Sequence, residues 1–462
     1  MSLRLFDYVA NRLGIKTASN SLSIAQASDN VFSVQKTPDN TSAFGDDIVV
    51  PRTPINQHSF VHGLYSDNVI YGQNGLGALT TTVNGKLAIT SGTSAGGYAY
   101  FSSERPIIYK QGQGVLDRFT LYFGTPTANI MQFKGVAQFT TPQTPIDALG
   151  FCYYVGTDSN NISYNGTTFG ILHRNFASGS VIDTFYPQSA WNVDKLDGTG
   201  NSGLTWDKTK GNLVEFVYGH QGFSGFSFLW YRPDSHRYIV CHQIEYANNN
   251  TNVQFSNPNL QHYELMINSG TVIATTMFTG SVASFLDGER KITGRTLSFD
   301  NGSPTINING FSSICAIQLA KVFNGVPIKG MVRILGVSAS CHTGNGIIRL
   351  LTNATVTGQT TFTAIEPTTA TVTGTSGNYS VNSNGAVNTW ASCPVLGNTT
   401  VGAVTATPRV PHKCLTMTTS DNQYIPLIDD NVYILPGQTF TVTVNTVANG
   451  TFTAAIHFVI EV

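Results

Sequence analysis

The sequence predicts an all-β protein: two antiparallel β-sandwich domains of jelly-roll type that follow a short N-terminal amphipathic helix and an extended arm. First, short runs of aromatic and β-branched residues are separated by clusters of Gly, Asn and Asp, which is typical of strands joined by tight turns. Second, apolar and polar residues alternate. Phe226, Phe228 and Trp230 would share one face of a strand, opposite Ser227 and Leu229. An aromatic sheet face needs a second layer to cover it, and another sheet provides that layer.

The one helix predicted near the start of the chain lies within residues 1–16. Its apolar side chains follow the spacing of a single helix face, and Gly14 stands where a helix would end. A helix this short is marginal in water, so we expect it to dock on its own domain, on a sister subunit or on another protein. The residues predicted to make that contact are Leu5, Phe6, Val9 and Leu13.

Residues 17–57 are polar and rich in turn-forming residues, and they are predicted to form an extended arm or linker. Within this arm, Leu22 and Ile24 alternate with serines, a pattern that suits a strand added to the edge of a neighbour's sheet. A flexible leader is the alternative interpretation. On the first interpretation, Leu22 and Ile24 are docking residues in addition to those of the helix.

The two sandwich domains are predicted over residues 58–289 and 290–462. In the first domain, Val214, Phe216 and Tyr218 alternate with their neighbours, as residues that face a core do. In the second domain the last segment has the clearest alternation. Its residues on one face are Phe452, Ala454, Ile456, Phe458, Ile460 and Val462, and those on the other face are Thr453, His457 and Glu461.

Composition argues against several classes of partner. Charged residues make up 11% of the 462 residues, against about 25% in an average globular protein, and the net charge is -1. Because there is no basic excess, nucleic-acid binding is not expected. No signal peptide is recognised and no run approaches the roughly 20 apolar residues of a membrane span, so we expect synthesis in the cytoplasm and no membrane insertion. A charge-poor surface is a solubility risk for a monomer, which favours a homo-oligomer.

No cofactor and no metal site are expected. Cys241-His242 and Cys341-His342 are adjacent pairs, and adjacent residues of a strand point to opposite faces, so neither pair could chelate one ion within its strand. No two cysteines form a CxxC motif, and we interpret all six as scattered buried thiols. They are Cys152, Cys241, Cys315, Cys341, Cys393 and Cys414.

The run from Asp194 to Gly198 has the composition of a calcium loop. It lacks the alternating Asp/Asn positions and the distal Glu of an EF-hand. The favoured interpretation is a turn in which the carboxylates of Asp194 and Asp197 accept hydrogen bonds from nearby backbone amides.

No catalytic motif is recognised, since the sequence contains no GxSxG, HExxH or P-loop, and we expect no enzymatic activity. Carboxylates of the central domain could pair for glycoside hydrolysis, and they are equally expected as surface groups. They are Asp207, Glu215, Glu245 and Glu264. Three aromatic residues are candidates for stacking on a glycan, with packing in the core as the alternative. They are Trp191, Trp206 and Tyr231.

Four segments carry a resemblance to a known class of protein. They are YNGTTFG at 164–170, WNVDKLDGTGNSG at 191–203, YANNNT at 246–251 and SNPN at 256–259. In their order they resemble virion structural proteins of tailed phages and large DNA viruses, such as fibre, spike, and tail- or capsid-associated subunits. The resemblance covers about the middle quarter of the chain.

This resemblance implies a non-enzymatic subunit of the virion that docks through its N-terminus on capsid, portal or tail proteins. It also favours a homotrimer over other closed assemblies. Two alternatives remain open, namely an adhesin that binds glycans of the host surface and a polysaccharide-degrading enzyme. A cleft that holds two carboxylates beside exposed aromatic rings would favour the enzyme.

Overall fold

The all-β prediction is confirmed for the part of the chain that the structure, a computed structural model, describes. In that part the one helical element is a 3-10 turn at Gln188–Ala190, and no helix there is long and apolar enough to cross a membrane. The predicted N-terminal helix, the arm as far as residue 51 and all six predicted docking residues lie outside it. The described residues are 52–461 without 65–68, 76, 82–83, 110–111, 142–143, 271–272, 289–295, 303–304, 307–309, 324–325, 329, 360, 366–392, 407–410, 429–431 and 447.

The first half of the described chain forms one β-sandwich. A six-stranded sheet in the order β1-β16-β6-β11-β12-β13 faces a seven-stranded sheet in the order β10-β9-β8-β7-β14-β5-β2, and a small third sheet is ordered β15-β4-β3. The strands are β1 (Thr53–Ser59), β2 (Val69–Asn74), β3 (Ala78–Thr81), β4 (Leu87–Thr90), β5 (Tyr98–Ser103), β6 (Val115–Leu121), β7 (Ile130–Thr141), β8 (Thr144–Thr157), β9 (Ser163–Asn175), β10 (Ile182–Pro187), β11 (Asn212–Tyr218), β12 (Phe226–Arg232), β13 (Arg237–Ile244), β14 (Gln261–Asn268), β15 (Thr276–Thr279) and β16 (Ser281–Leu286).

The second half forms another sandwich. One sheet is ordered β17-β32-β22-β29, with β18 and β30 paired to β32 and β22, and the facing sheet is ordered β24-β27-β19-β31-β23-β28, with β26 and β25 added beside β19. The strands are β17 (Thr296–Asp300), β18 (Thr305–Ile306), β19 (Gly310–Leu319), β20 (Val322–Phe323), β21 (Val326–Pro327), β22 (Met331–Thr343), β23 (Gly346–Thr352), β24 (Thr355–Val356), β25 (Thr363–Ala364), β26 (Val395–Asn398), β27 (Gly402–Ala406), β28 (Lys413–Met417), β29 (Asn422–Pro426), β30 (Tyr433–Ile434), β31 (Thr439–Thr446) and β32 (Gly450–Glu461).

Alternation along the strands places the core as predicted. Phe226, Phe228 and Trp230 of β12 point between the two sheets of the first sandwich, and Leu229 packs in a separate cluster on the other face. Successive side chains of a strand point to opposite sides, so this one strand supplies both faces of its sheet. The C-terminal strand β32 likewise buries every second residue as far as Phe458, as the sequence predicts.

The predicted boundary of the arm at residue 57 is wrong by five residues. Strand β1 begins at Thr53 and pairs with β16, so residues 53–57 belong to the first sandwich. Backbone hydrogen bonds to β16 hold this segment in the sheet although its side chains are mostly polar. The sequence pattern alone does not reveal that pairing. The two sandwiches touch where Gln438 Nε2 donates to Glu104 Oε1 at 3.3 Å.

The core of the first sandwich contains a polar network. Lys134 Nζ lies 3.2 Å from Glu264 Oε2, and His262 bridges Glu264 Oε1 and Asp117 Oδ2 at 3.2 and 2.7 Å. Burial alone would lower the pKa of His262, but the charge of Asp117 and the hydrogen bonds to Asp117 and Glu264 raise it to about 9. His262 is therefore an imidazolium at neutral pH, held between Asp117 and Glu264.

Candidate functional site

A groove of about 230 Å³ opens at one edge of the first sandwich. It lies where β10, the edge strand of the seven-stranded sheet, comes beside the end of β13, the edge strand of the six-stranded sheet. Edge strands leave the space between two sheets open to solvent. The lining residues are His173, Asn175, Ile182, Thr184, Tyr186, Ile244, Glu245, Tyr246, Asn250, Thr251 and Asn252.

One wall of the groove is the loop that follows β13, and hydrogen bonds from β9 hold this loop in place. Asn175 Nδ2 donates to the carbonyl oxygens of Val253 and Gln254, both at 2.7 Å. His173 Nε2 lies 2.9 Å from the Gln254 carbonyl oxygen. Tyr246 adds a bond from its hydroxyl to the Val253 carbonyl at 3.2 Å. Because Asn175 and His173 are buried, the loop is fixed before any ligand arrives.

Tyr186 supplies an aromatic surface in the groove. Its ring packs on that of His242, with the ring centroids 5.0 Å apart. Burial raises the pKa of Tyr186, and Tyr246 raises it further, so Tyr186 is a neutral phenol at physiological pH. A half-buried phenol offers a ligand both an apolar ring and a hydroxyl that donates and accepts hydrogen bonds.

The opposite rim is polar and carries one exposed charge. Glu245, Asn250, Thr251 and Asn252 are all exposed, and Asn250 Nδ2 donates to the Tyr246 carbonyl oxygen at 3.2 Å. Burial lowers the pKa of His173, so this imidazole is neutral at pH 7. The lining contains no lysine or arginine. The groove therefore favours an uncharged ligand with many hydroxyl groups and disfavours an anion.

A second cavity, of about 380 Å³, lies at the opposite edge of the same sandwich, between β1 and β2. The ring of His58 forms one side of it and meets Phe101 edge-on at 5.7 Å. Burial, together with the charge of His262, lowers the pKa of His58 to about 4. With Phe60, Leu64 and Val69 in its lining, this cavity is the more apolar of the two sites.

Two of the three aromatic residues considered as candidates for stacking on a glycan are core residues, as the alternative interpretation expects. Trp191 and Trp206 are 3% and 2% exposed and pack against Phe151 and Phe169. A large aromatic side chain contributes most to stability when both faces of its ring are covered, which explains why these two tryptophans lie in the core. The third residue, Tyr231, is half-buried on β12 and lies outside the groove.

The four carboxylates considered for glycoside hydrolysis lie in four different places. Glu264 belongs to the core network, and Glu215 accepts a hydrogen bond from Arg118 Nε at 2.8 Å on the outer face of the six-stranded sheet. Asp207 closes an exposed turn by accepting from the Thr209 amide at 3.0 Å. Only Glu245 lines the groove. The structure thus brings no two of them together there.

The run from Asp194 to Gly198 forms the turn that the sequence favours. Asp194 accepts from the amides of Leu196 and Ser202 at 3.0 and 2.7 Å, and Asp197 accepts from the Thr199 amide at 2.9 Å. These carboxylate oxygens are occupied by backbone donors. Among the residues that the structure describes, no group of three His, Cys, Asp or Glu side chains could hold a metal ion.

Sequence reasoning missed most of the groove. Tyr186 lies in a segment without a motif, and the sequence around Asn175 indicates only the end of a strand. One signal is present, because the YANNNT segment at 246–251 supplies Tyr246, Asn250 and Thr251 to the wall. That segment carries part of the resemblance described above, but it has no pattern that indicates a binding site.

No protein-family model and no curated protein matches the chain. Solved structures that resemble it include a prokaryotic β-1,3-1,4-glucanase (lichenase) derived from a mouse hindgut metagenome, at 12% identity and a TM-score of 0.31 over 50% of this chain and 98% of that chain. Lectin II from Ulex europaeus is similar at 12% identity and a TM-score of 0.31, over 51% and 100% of the two chains. Peanut lectin is similar at 11% identity and 0.30, over 50% and 97%. At this level they carry no inference about activity or ligand.

Proposed function

We propose that this chain is a non-enzymatic attachment protein of a virus particle, and that the groove between β10 and β13 binds a neutral glycan. The observation that carries the binding function is the groove itself, in which an aromatic ring faces exposed amide, hydroxyl and carboxylate groups. A sugar ring needs both kinds of contact. Its C–H face packs on an aromatic ring, and its hydroxyls need donors and acceptors at fixed positions.

The size of the groove restricts the ligand. A volume of about 230 Å³ lies below the roughly 300–1,000 Å³ of sites for drug-sized ligands. The groove therefore suits one sugar unit at the end or branch of a glycan, and not a long polymer chain. Glu245 can accept hydrogen bonds from neighbouring sugar hydroxyls, while its charge and the missing cations disfavour sialylated or sulfated units.

The distribution of carboxylates supports binding without turnover. Hydrolysis of a glycosidic bond uses two carboxyl groups about 5 to 9.5 Å apart on either side of that bond. The lining of the groove contains one, Glu245. The other three candidates are engaged in the core, with Arg118 or in a turn.

The place in a virus particle rests on the resemblance of the four central segments. The low content of charged residues, 11%, supports a subunit that is permanently part of an assembly. Its partners would be capsid, portal or tail proteins and copies of itself, as a homotrimer.

Light scattering at micromolar concentration tests the trimer, and a clean monomer contradicts it. N-terminal docking would be contradicted if a variant that lacks residues 1–16 enters particles as efficiently as the full chain does.

Binding of immobilised glycans tests the groove. The full chain is applied to a panel of neutral and sialylated oligosaccharides, together with the variants Tyr186→Ala and Asn252→Ala. We expect neutral ligands to be bound and each variant to lose about tenfold or more in affinity. Tyr231→Ala is the matched control, because this tyrosine is half-buried and lies outside the groove. Equal binding by Tyr186→Ala and the unaltered chain would refute the site.

A further inference from the structure

The second sandwich exposes a large aromatic ring on the outward face of one of its sheets. Tyr424 of the edge strand β29 is 56% exposed. It lies on the outward side of the sheet that contains β17, β32, β22 and β29, while its neighbour Ile425 is buried in the core. A tyrosine in this position offers a partner a flat apolar ring with a hydroxyl at its end.

Gly336 determines how the Tyr424 ring lies. A Cβ atom at Gly336 of β22 would be 2.6 Å from Cζ of Tyr424, so the phenol end of the ring rests over this glycine. Any other residue at 336 would lift the ring away from the sheet. The ring therefore leans across the neighbouring strand, with its outer face available to a flat partner.

His457 completes the surface in a fixed orientation. Its Nδ1 lies 2.8 Å from Ser298 Oγ and its Nε2 lies 2.8 Å from Ser338 Oγ, so both ring nitrogens are engaged. The imidazole is 5.9 Å from the Tyr424 ring, centroid to centroid. Since each serine hydroxyl keeps acceptor capacity, these residues place hydrogen-bonding groups beside the aromatic ring at set positions.

The side chains beside Tyr424 on this face are mostly short, and they include Ser298, Ser338, Ser340, Thr453 and Ala455. The charged outward residues of the four strands that the structure describes are Asp300, Arg333 and Glu461. Asp300 accepts a hydrogen bond from the Gly302 amide at 3.0 Å, and Arg333 Nε lies 3.3 Å from Glu461 Oε1 with both side chains buried.

We propose that Tyr424, His457 and the serines beside them form a second carbohydrate-binding surface, which takes a neutral polysaccharide chain. An open sheet face with a flat ring suits a run of sugar units better than it suits one terminal unit. The cation among the described outward residues of these strands, Arg333, is buried and paired with Glu461, so it is not open to an acidic polymer. This surface lies on a different domain from the groove, so it does not depend on the function proposed for the groove. Together, two sites on one chain would raise avidity for a glycan-coated surface.

Native electrophoresis in gels that contain dextran, galactomannan or soluble starch tests this surface on the full chain. We expect at least one polymer to retard the protein. Tyr424→Phe should keep that retardation because it keeps the ring. Tyr424→Ala should weaken apparent affinity about tenfold, and Gly336→Ala should weaken it too by displacing the ring. Retardation should persist in Tyr186→Ala, which separates this surface from the groove.

A structural role for Tyr424 predicts another result. If the ring only covers Gly336, Tyr424→Ala lowers the melting temperature and leaves retardation unchanged, which overturns the proposal. Absence of retardation in all three gels overturns it as well. Should Tyr424→Ala fail to fold, nitration of the unaltered chain gives the answer. The retarding polymer should slow nitration of Tyr424, and an unchanged rate overturns the proposal.

Discussion

Lys134 Nζ and Glu264 Oε2 lie 3.2 Å apart on directly paired positions of β7 and β14, and neither side chain has exposed surface. Thr279 donates to the same Glu264 oxygen at 2.6 Å, and Lys134 also donates to the Phe278 carbonyl at 2.8 Å. A buried ion pair is tolerated when its remaining hydrogen-bonding groups are satisfied in this way. The network joins the seven-stranded sheet to β15 of the small third sheet.

Removing Lys134 should destabilise the first sandwich strongly. In Lys134→Met the carboxylate of Glu264 loses one of its two cationic neighbours, and His262 alone remains beside it in a site that water does not reach. Breaking a buried pair on one side costs about 3–5 kcal/mol. Urea unfolding of the full chain, followed by tryptophan fluorescence, should show this loss. The core tryptophans Trp191 and Trp206 report on the first sandwich.

The matched control is the double variant Lys134→Met/Glu264→Gln, which removes both charges. We expect it to be more stable than Lys134→Met alone, because no uncompensated carboxylate then remains in the core. A loss below about 1 kcal/mol in Lys134→Met would show that the pair contributes little.

Stability should fall as the pH rises toward 9. The pKa of His262 is about 9 in the folded chain, against its ordinary value of 6.5, so folding favours the protonated form. Its contribution is fully present below pH 6.5 and is lost as the pH rises through about 9. By linkage, the difference amounts to roughly 3 kcal/mol. Urea unfolding across this range measures it, and His262→Gln should be less stable and show a flatter profile. Identical profiles for both proteins would contradict the assignment.

Asn175 should control the glycan affinity of the groove by holding its loop wall in place, independently of the Tyr186 ring. Asn175→Ala removes two hydrogen bonds that fix Val253 and Gln254, so the loop wall loses its anchor. We expect glycan affinity to fall about tenfold, with a stability loss of about 1–3 kcal/mol. Asn201→Ala is the control, because Asn201 is exposed and bonds the Val193 carbonyl away from the groove. Unaltered binding by Asn175→Ala would mean that the loop needs no anchor.

The fold could be predicted from the sequence because its strands repeat a simple local signal. Alternation of apolar residues identified the faces of β12 and β32 correctly, down to Phe228 and Phe458. Burial of charged residues could not be predicted in this way. Glu461 has the predicted face of β32 but is 1% exposed, because Arg333 Nε lies 3.3 Å from its Oε1. Such pairs depend on which strands become neighbours.

The candidate groove could not be predicted for the same reason. Tyr186 and Glu245 come from edge strands of two different sheets and meet only once both sheets are assembled. Local patterns carry no information on that pairing. The aromatic residues illustrate the limit, since Trp191 and Tyr186 lie five positions apart and end in the core and in the groove.

Reaction with a thiol reagent should separate Cys414 from the other five cysteines. All six are free, but Cys414 is exposed and the other five are buried. Burial also raises the pKa of the thiols of Cys152 and Cys315, which keeps them in the unreactive protonated form. We therefore expect one thiol per native chain to react rapidly and all six to react in denaturant, as counted by intact mass. Cys414→Ser should abolish the rapid phase. A second thiol that reacts as fast in the native chain would show that the sandwich opens at that cysteine.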